Sequence, residues 1–456
     1  MDDQVSLGNE HLSNRVEEIT SFFVKTDPSD IISIALSCSD GMEVSSPGSN
    51  SPGEEYYISD ETSNYSDLAD DAYEHTPVMN PVNQIVNLVL PRLPARSLLR
   101  FKSVSFNLKT LISSPFLVLS HFLHPKSISG LFYQTWCGIH YVSLDAPSTN
   151  IPDPSFSYLP EPVTIKASTH GVLCVRGQRS LKYYITNPTT MEWAELPETT
   201  VEHCDDVAVV IVFDSLYNFS CSYQVVCAYP VKGVEGVYTF ETFSSETWAW
   251  ALSGQICAVE NIVAQSGTAV GAVAYWRTTM NTLLSYDPVK DRSNIMQKPH
   301  TDMNEVSWEL GEMDRHLSVT STSNLGQIKV STMEVTNRME MPKWEEMGNF
   351  WLSESAYAMP IRSQGSAGLA FWEYNEDVIG LVLRDMEGRQ LCRFEEPNYF
   401  GDFVFFPYIS TLAPVKRSGA GTSAEPSVRN NDTLHITAET NENKVSVGRW
   451  RMVPLH

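Results

Sequence analysis

The spacing of apolar positions changes once along the chain, near residue 127. Before that point Leu98, Phe101, Val104, Leu108 and Leu111, with Leu99 and Ile112 alongside, recur at helical spacing, while Arg96 and Arg100 stand four apart on the other side. Amphipathic helices are predicted. Pro91 and Pro94 interrupt the pattern, so the stretch reads as a first helix near 82–90, a proline-bounded turn, then a second and a third short helix. Beyond Ser127 the apolar runs become short, β-branched and aromatic. They fall at 171–175, 181–185, 207–213, 223–229, 237–243, 269–276, 378–383 and 403–406, with Gly, Asn, Asp and Pro between them. This predicts a many-stranded antiparallel fold.

One turn recurs within the sheet region. Tyr184-Ile185-Thr186-Asn187-Pro188 runs on to Leu196-Pro197, and Leu284-Ser285-Tyr286-Asp287-Pro288 runs on to Lys298-Pro299. In each, an aromatic strand meets an Asx-Pro turn whose side chain bonds the backbone two residues on. Such recurrence predicts the repeated blades of a propeller, about six or seven four-stranded units between Ser127 and Pro414. Past Pro414 the periodicity fades into a Ser-, Gly-, Asn- and Thr-rich tail, 415–456, expected to be flexible with Trp450 and Val453 as its only anchors.

Charge sharpens these boundaries. The 456 residues carry 31 basic and 55 acidic side chains, a formal net charge of −24. A chain-wide basic surface is excluded, and with it nucleic acid as the main partner. Residues 1–78 hold 17 acidic side chains against Arg15 and Lys25 alone, and composition predicts a disordered acidic arm. Residues 79–126 contain no acidic residue, whereas Arg92, Arg96, Arg100, Lys102, Lys109 and Lys126 are basic. A small basic helical domain, 79–126, is therefore expected ahead of an all-β domain, 127–414. The overall class is mainly β with a small α domain.

No charged segment followed by an apolar run opens the chain, and the charge-free stretch 110–125 is shorter than the roughly 20 residues of a membrane helix. Synthesis in the cytosol and residence in cytoplasm or nucleus are expected. The eight cysteines form no C-x-x-C pair and read as reduced thiols.

The basic helical block closely resembles a plant F-box. The likeness runs from Ile85-Val86-Asn87-Leu88-Val89-Leu90-Pro91-Arg92-Leu93-Pro94-Ala95-Arg96-Ser97-Leu98-Leu99-Arg100-Phe101 to Val104-Ser105, and on through Leu111-Ile112-Ser113-Ser114-Pro115-Phe116. The sheet region resembles the F-box-associated, kelch-like β-propeller of the same plant family. It does so in Gly171-Val172-Leu173-Cys174-Val175, in Asn187-Pro188-Thr189-Thr190 with Leu196-Pro197, in Phe243-Ser244-Ser245-Glu246-Thr247 with Trp248, and in the closing Phe406-Pro407-Tyr408. The resemblance spans about residues 80–414.

It implies a three-helix F-box followed by a propeller, in a non-catalytic substrate receptor of an SCF ubiquitin ligase. The F-box would bind a Skp-type adaptor and, through it, a cullin. The propeller would hold the protein to be ubiquitinated. Pro81, Ile85, Leu93, Pro94, Leu98, Leu99, Val104 and Leu108 are the expected adaptor contacts, each well-buried Leu being worth about 1.5–3 kcal/mol. The chain departs from the family pattern at Pro81-Val82, where Leu-Pro is usual, at Leu108, where a Trp is usual, and at Pro91 in the first helix. The alternative is a propeller interaction module whose degenerate box no longer assembles a ligase.

Enzyme signatures are absent: the chain has no G-x-G-x-x-G, P-loop, H-E-x-x-H, G-x-S-x-G or EF-hand loop, and no catalytic residue, cofactor or metal site is expected. The cluster Glu202-His203-Cys204-Asp205-Asp206 reads as a solvated acidic loop, because neighbours on an extended chain point to opposite sides. His121 and His124 read as packing residues, and the tryptophans from Trp248 to Trp372 as filling between blades.

Overall fold

The computed structural model describes residues 89–415 apart from short stretches at 125–126, 136–137, 145–150, 214–221, 300–304, 335–342, 353–356, 366–367, 375–378 and 396–403, together with Arg451–Met452. The acidic arm 1–78, most of the expected first helix 82–90, and nearly all of the tail lie outside the described residues.

Leu90–Arg92 forms a 3-10 turn that carries Pro91 in its opening positions, where a missing N–H breaks no bond. Three helices follow: α1 (Ala95–Lys102), α2 (Phe106–Ile112) and α3 (Pro115–Leu123). Serines set their boundaries. Ser105 and Ser114 are N-caps whose hydroxyls accept from the Leu108 amide at 3.2 Å and the Leu117 amide at 3.3 Å, and Pro115 opens α3. Among the described residues no helix is long and apolar enough to cross a membrane.

Strands β1 (Gly130–Thr135) and β2 (Gly138–Ser143) form a hairpin. Blade 1 is β3 (Val163–Thr169), β4 (Val172–Gly177), β5 (Tyr183–Asn187) and β6 (Glu192–Glu195). Blade 2 is β7 (Ala208–Phe213), β8 (Tyr223–Pro230), β9 (Val237–Ser244) and β10 (Ala249–Ala258). Blade 3 is β11 (Thr268–Val270), β12 (Val273–Arg277), β13 (Thr282–Asp287) and β14 (Arg292–Gln297). The run 269–276, read as one strand, is thus a hairpin that turns at Gly271 with φ +57°. Blade 4 is β15 (Glu305–Met313), β16 (His316–Ser323), β17 (Gln327–Glu334) and β18 (Lys343–Trp351). Blade 5 is β19 (Tyr357–Ile361), β20 (Leu369–Tyr374), β21 (Ile379–Arg384) and β22 (Gln390–Glu395). Finally β23 (Val404–Tyr408) pairs antiparallel with β1, Gly130 opposite Tyr408, and so makes the sixth blade from both ends of the domain. A two-residue strand, β24 (Arg451–Met452), extends blade 5 at β22, between the expected anchors Trp450 and Val453.

The propeller therefore has six blades. Strands β3, β7, β11, β15, β19 and β23 are innermost and succeed one another around the axis. Each gap between neighbouring blades is filled by its own apolar cluster, from Val172, Val209 and Phe243 between blades 1 and 2 round to Phe132, Phe406 and Tyr408 between blades 6 and 1. The tryptophans behave as expected: Trp250, Trp276 and Trp308 are buried in these gaps and Trp248, Trp344 and Trp372 partly so, with Trp351 the exception at 61% exposed.

The recurring turn is the third-to-fourth-strand hairpin of a blade. In blades 1 and 3 the Thr189 amide donates to Asn187 Oδ1 at 3.0 Å and the Val289 amide to Asp287 Oδ1 at 3.1 Å. Met191 and Asp291 then take positive φ at the same step, as does Trp248 after the Ser244 turn of blade 2.

Candidate functional site

Strand direction alternates, so the ring has two unlike ends. At one end the first and second strands of each blade turn into each other; at the other lie the loops between second and third strands and the crossings to the next blade. The helices stand on the first end. Leu90, Leu93, Ala95, Leu98, Ile112 and Leu117 form a core with Leu412, which belongs to the segment that leaves β23. From α3, the Phe122 ring lies 5.3 Å from His170 and 4.7 Å from Phe213, between the hairpin ends of blades 1 and 2. His121 is fully buried and its Nε2 donates to the Leu93 carbonyl at 3.1 Å, a packing role.

The expected adaptor contacts divide. Leu93 and Leu98 are enclosed in this core, Leu99 and Leu108 are half-buried against it, Val104 is half-buried, Pro94 is exposed, and Pro81 and Ile85 lie outside the described residues. Two large apolar side chains that periodicity did not single out as contacts stand in solvent, Phe106 at 81% and Phe116 at 54% exposure. They occupy the first turns of α2 and α3, and Arg92, Arg100 and Lys109 are also exposed on the helical unit. The helical unit thus exposes both large apolar and cationic side chains, partly at other residues than the resemblance implied.

A buried polar clamp fixes the floor beneath the helices. Asn187, fully buried, donates through Nδ2 to the carbonyls of Thr411 at 3.1 Å and Ala413 at 2.9 Å, while its Oδ1 accepts from Tyr408 at 3.2 Å. Thr411 returns a bond to the His170 carbonyl at 2.8 Å, and Tyr223 donates to the Val415 carbonyl at 2.8 Å. Gly171 has φ +86°, and a Cβ there would lie 2.3 Å from Thr411 Oγ1 and 2.6 Å from the Ile409 carbonyl oxygen. These contacts account for glycine in Gly171-Val172-Leu173-Cys174-Val175 and asparagine in Asn187-Pro188-Thr189-Thr190.

The opposite end opens on a cavity of about 390 Å³ at the inner edges of blades 6, 1, 2 and 3. Its rim is the β4–β5 loop, held by Glu161, which accepts from the amides of Arg179 at 2.8 Å and Ser180 at 3.0 Å, from the Ser180 hydroxyl, and from Tyr184 at 2.9 Å. Burial works to raise the Glu161 carboxyl, but these bonds outweigh it and bring it down to about 2. Below the rim Arg176, only 4% exposed, donates to the carbonyls of Leu181, Cys204 and His203 at 3.1, 2.8 and 2.8 Å and lies 3.4 Å from Asp205.

The loop read as solvated and acidic is so at Glu202, Cys204, Asp205 and Asp206, which are exposed. His203 is the exception, since alternation along the chain turns it inward. It is 4% exposed, with Nε2 2.9 Å from Glu241 Oε2 and Nδ1 3.0 Å from the Tyr183 hydroxyl. Burial opposes ionisation of Glu241, yet the bonds from His203 and from the Thr200 hydroxyl and amide hold its carboxyl below the ordinary value. Burial likewise pushes the Cys174 thiol up to about 12 and Cys257 up to about 11, which disfavours the thiolate form of both.

Residues 149–381, just over half of the chain, match the family model described as F-box protein At3g26010-like, beta-propeller. The chain belongs to this family. Among curated proteins it is similar to F-box protein At5g07610 of Arabidopsis thaliana, 24% identical over 357 residues that cover 70% of this chain and 82% of that protein. Among solved structures, Kluyvelomyces marxianus Hsv2 aligns with a TM-score of 0.31 at 10% identity, over 50% of this chain and 72% of that one. BBS1N in complex with ARL6DN aligns with a TM-score of 0.27 at 10% identity, over 58% and 71%. Within the F-box propeller family, the six-bladed ring and the helices that precede it are the two expected parts of a plant F-box protein.

Proposed function

We propose that the chain is a substrate receptor of an SCF-type ubiquitin ligase, in which the helices bind a Skp-type adaptor, and through it a cullin, while the propeller presents the protein to be modified. The observation that carries this reading is the placement of the helices on one end of the ring, which leaves the cavity end open for a target. Exposed Phe106 and Phe116 supply the apolar area that Leu93 and Leu98 have committed to the fold, and the exposed basic side chains of the helical unit suit an acidic adaptor. The receptor itself catalyses nothing in this reading. Its work is to hold a target lysine within reach of a conjugating enzyme.

The test is copurification of the full chain with adaptor and cullin. A stable ternary complex is expected, weakened by Phe106→Ala. The second reading, a propeller interaction module without a ligase, is favoured by the enclosure of Leu93 and Leu98, and absence of any complex at micromolar concentration selects it.

A further inference from the structure

We infer that the cavity at the open end is an anion site that takes a carboxylate or phosphate group. The chain as a whole repels anions, with a net charge of −24. The cavity does not follow that average. Lys166 and Arg176 line it, and Arg362 stands directly behind its wall, donating from Nη2 to the carbonyl of the lining residue Gln265. Arg362 is 5% exposed, and among the described residues no carboxylate reaches it within ion-pair distance; Glu309, which it feels, is paired with Arg277 at 3.6 Å. The lining carboxylate, Asp205, is ion-paired with Arg176 at 3.4 Å and its side chain is otherwise 93% exposed, so the cationic charge left over at the cavity is that of Lys166, with Arg362 behind the wall. A cation buried without a counter-charge is costly, and an anion in the adjoining cavity relieves that cost.

Donor capacity points the same way. Lys166 Nζ gives one bond to the Asp205 carbonyl at 2.9 Å and keeps ammonium hydrogens to spare. Gln134 is fixed against Ile165, donating from Nε2 to its carbonyl at 3.0 Å and accepting its amide at 2.7 Å, so its remaining amide hydrogen has a set direction. Gln178 spends one amide hydrogen on the Val163 carbonyl at 3.3 Å. The volume of about 390 Å³ falls within the range of small-molecule sites, and the cations and oriented amides supply the few placed polar groups by which such a site fixes a ligand. Burial and then the neighbouring Arg176 hold the Lys166 ammonium below its ordinary range, against the pull of Asp205 and Asp206, and a bound anion favours the charged form.

The site is independent of ligase assembly, because it lies at the end away from the helices and its test uses no adaptor. The full chain is titrated calorimetrically with inorganic phosphate and, separately, with N-acetyl-phosphoserine amide. Saturable binding is expected, with an affinity about tenfold lower in Lys166→Gln, the usual effect of losing a charge-assisted bond. Tighter binding of the phosphoserine amide assigns the group to a polypeptide ligand; tighter binding of phosphate assigns it to a free small molecule. No saturable binding of either probe overturns the inference, as does equal affinity in Lys166→Gln. Should that variant not fold, Gln178→Ala, at an exposed rim position, takes its place, and unchanged affinity there overturns the inference equally.

Discussion

The side-chain amide of Asn187 reaches the carbonyl of Ala413 at 2.9 Å across 226 residues of sequence. With its second bond, to Thr411, it ties blade 1 to the segment on which the helices rest. Asn187→Leu strands buried carbonyls and is expected to cost on the order of 3 kcal/mol, read as a lower urea midpoint. A midpoint equal to that of the unaltered chain would show that the clamp is not a stability element.

Two glycines separate close approach from backbone conformation. Gly138 has φ +139° with nothing within 4 Å of an added Cβ, whereas Gly171, at φ +86°, adds collisions with Thr411 and Ile409. Gly138→Ala is expected to cost about 1 kcal/mol and Gly171→Ala several times more, both measured by thermal unfolding. Equal losses would remove the packing explanation for Gly171.

Acid should weaken the blade 1–blade 2 junction through Glu241. Its folded value lies below the ordinary 4.5, so its stabilisation is complete above that value and is lost as pH falls through the folded one. Urea midpoints of the unaltered chain are expected to fall more steeply from about pH 6 to about pH 3 than those of Glu241→Gln. Parallel acid limbs would assign the acid sensitivity to other carboxylates.

The helices offer a clean division between folding and binding. Leu98 is fully enclosed, so Leu98→Ala is expected to destabilise the helical unit by about 2–5 kcal/mol, whereas Phe106→Ala leaves the melting temperature unchanged and weakens the adaptor complex. Circular dichroism melts and adaptor pull-downs on both variants read the two effects apart. An unchanged complex with Phe106→Ala would place the adaptor elsewhere.

Local chemistry was legible in the sequence wherever its partner was local. Tyr184 to Pro188 and Leu284 to Pro288 announced their hairpins because an Asx turn is completed within a few residues. The strands of blade 4 gave no such signal: β16 buries Ser318, Thr320 and Thr322, whose hydroxyls read as surface. The blade number stayed open because the sixth blade is split between residues 130–143 and 404–408. Helical spacing placed Leu98 and Ile112 along an apolar stretch, but it could not show that Leu412, about three hundred residues on, already helps to enclose them.

Closure by β23 also orders events at the ribosome. The helices emerge early, yet the strand that shuts the ring and the Leu412 that completes their packing are translated only after the other five blades. A prematurely terminated product therefore carries an unlatched ring, an unpaired β1 edge and a loosened helical core, all features that chaperones and proteases read as unfinished. Synthesis to the end of the domain thereby becomes a completeness check on a molecule whose proposed role is to choose what else is destroyed.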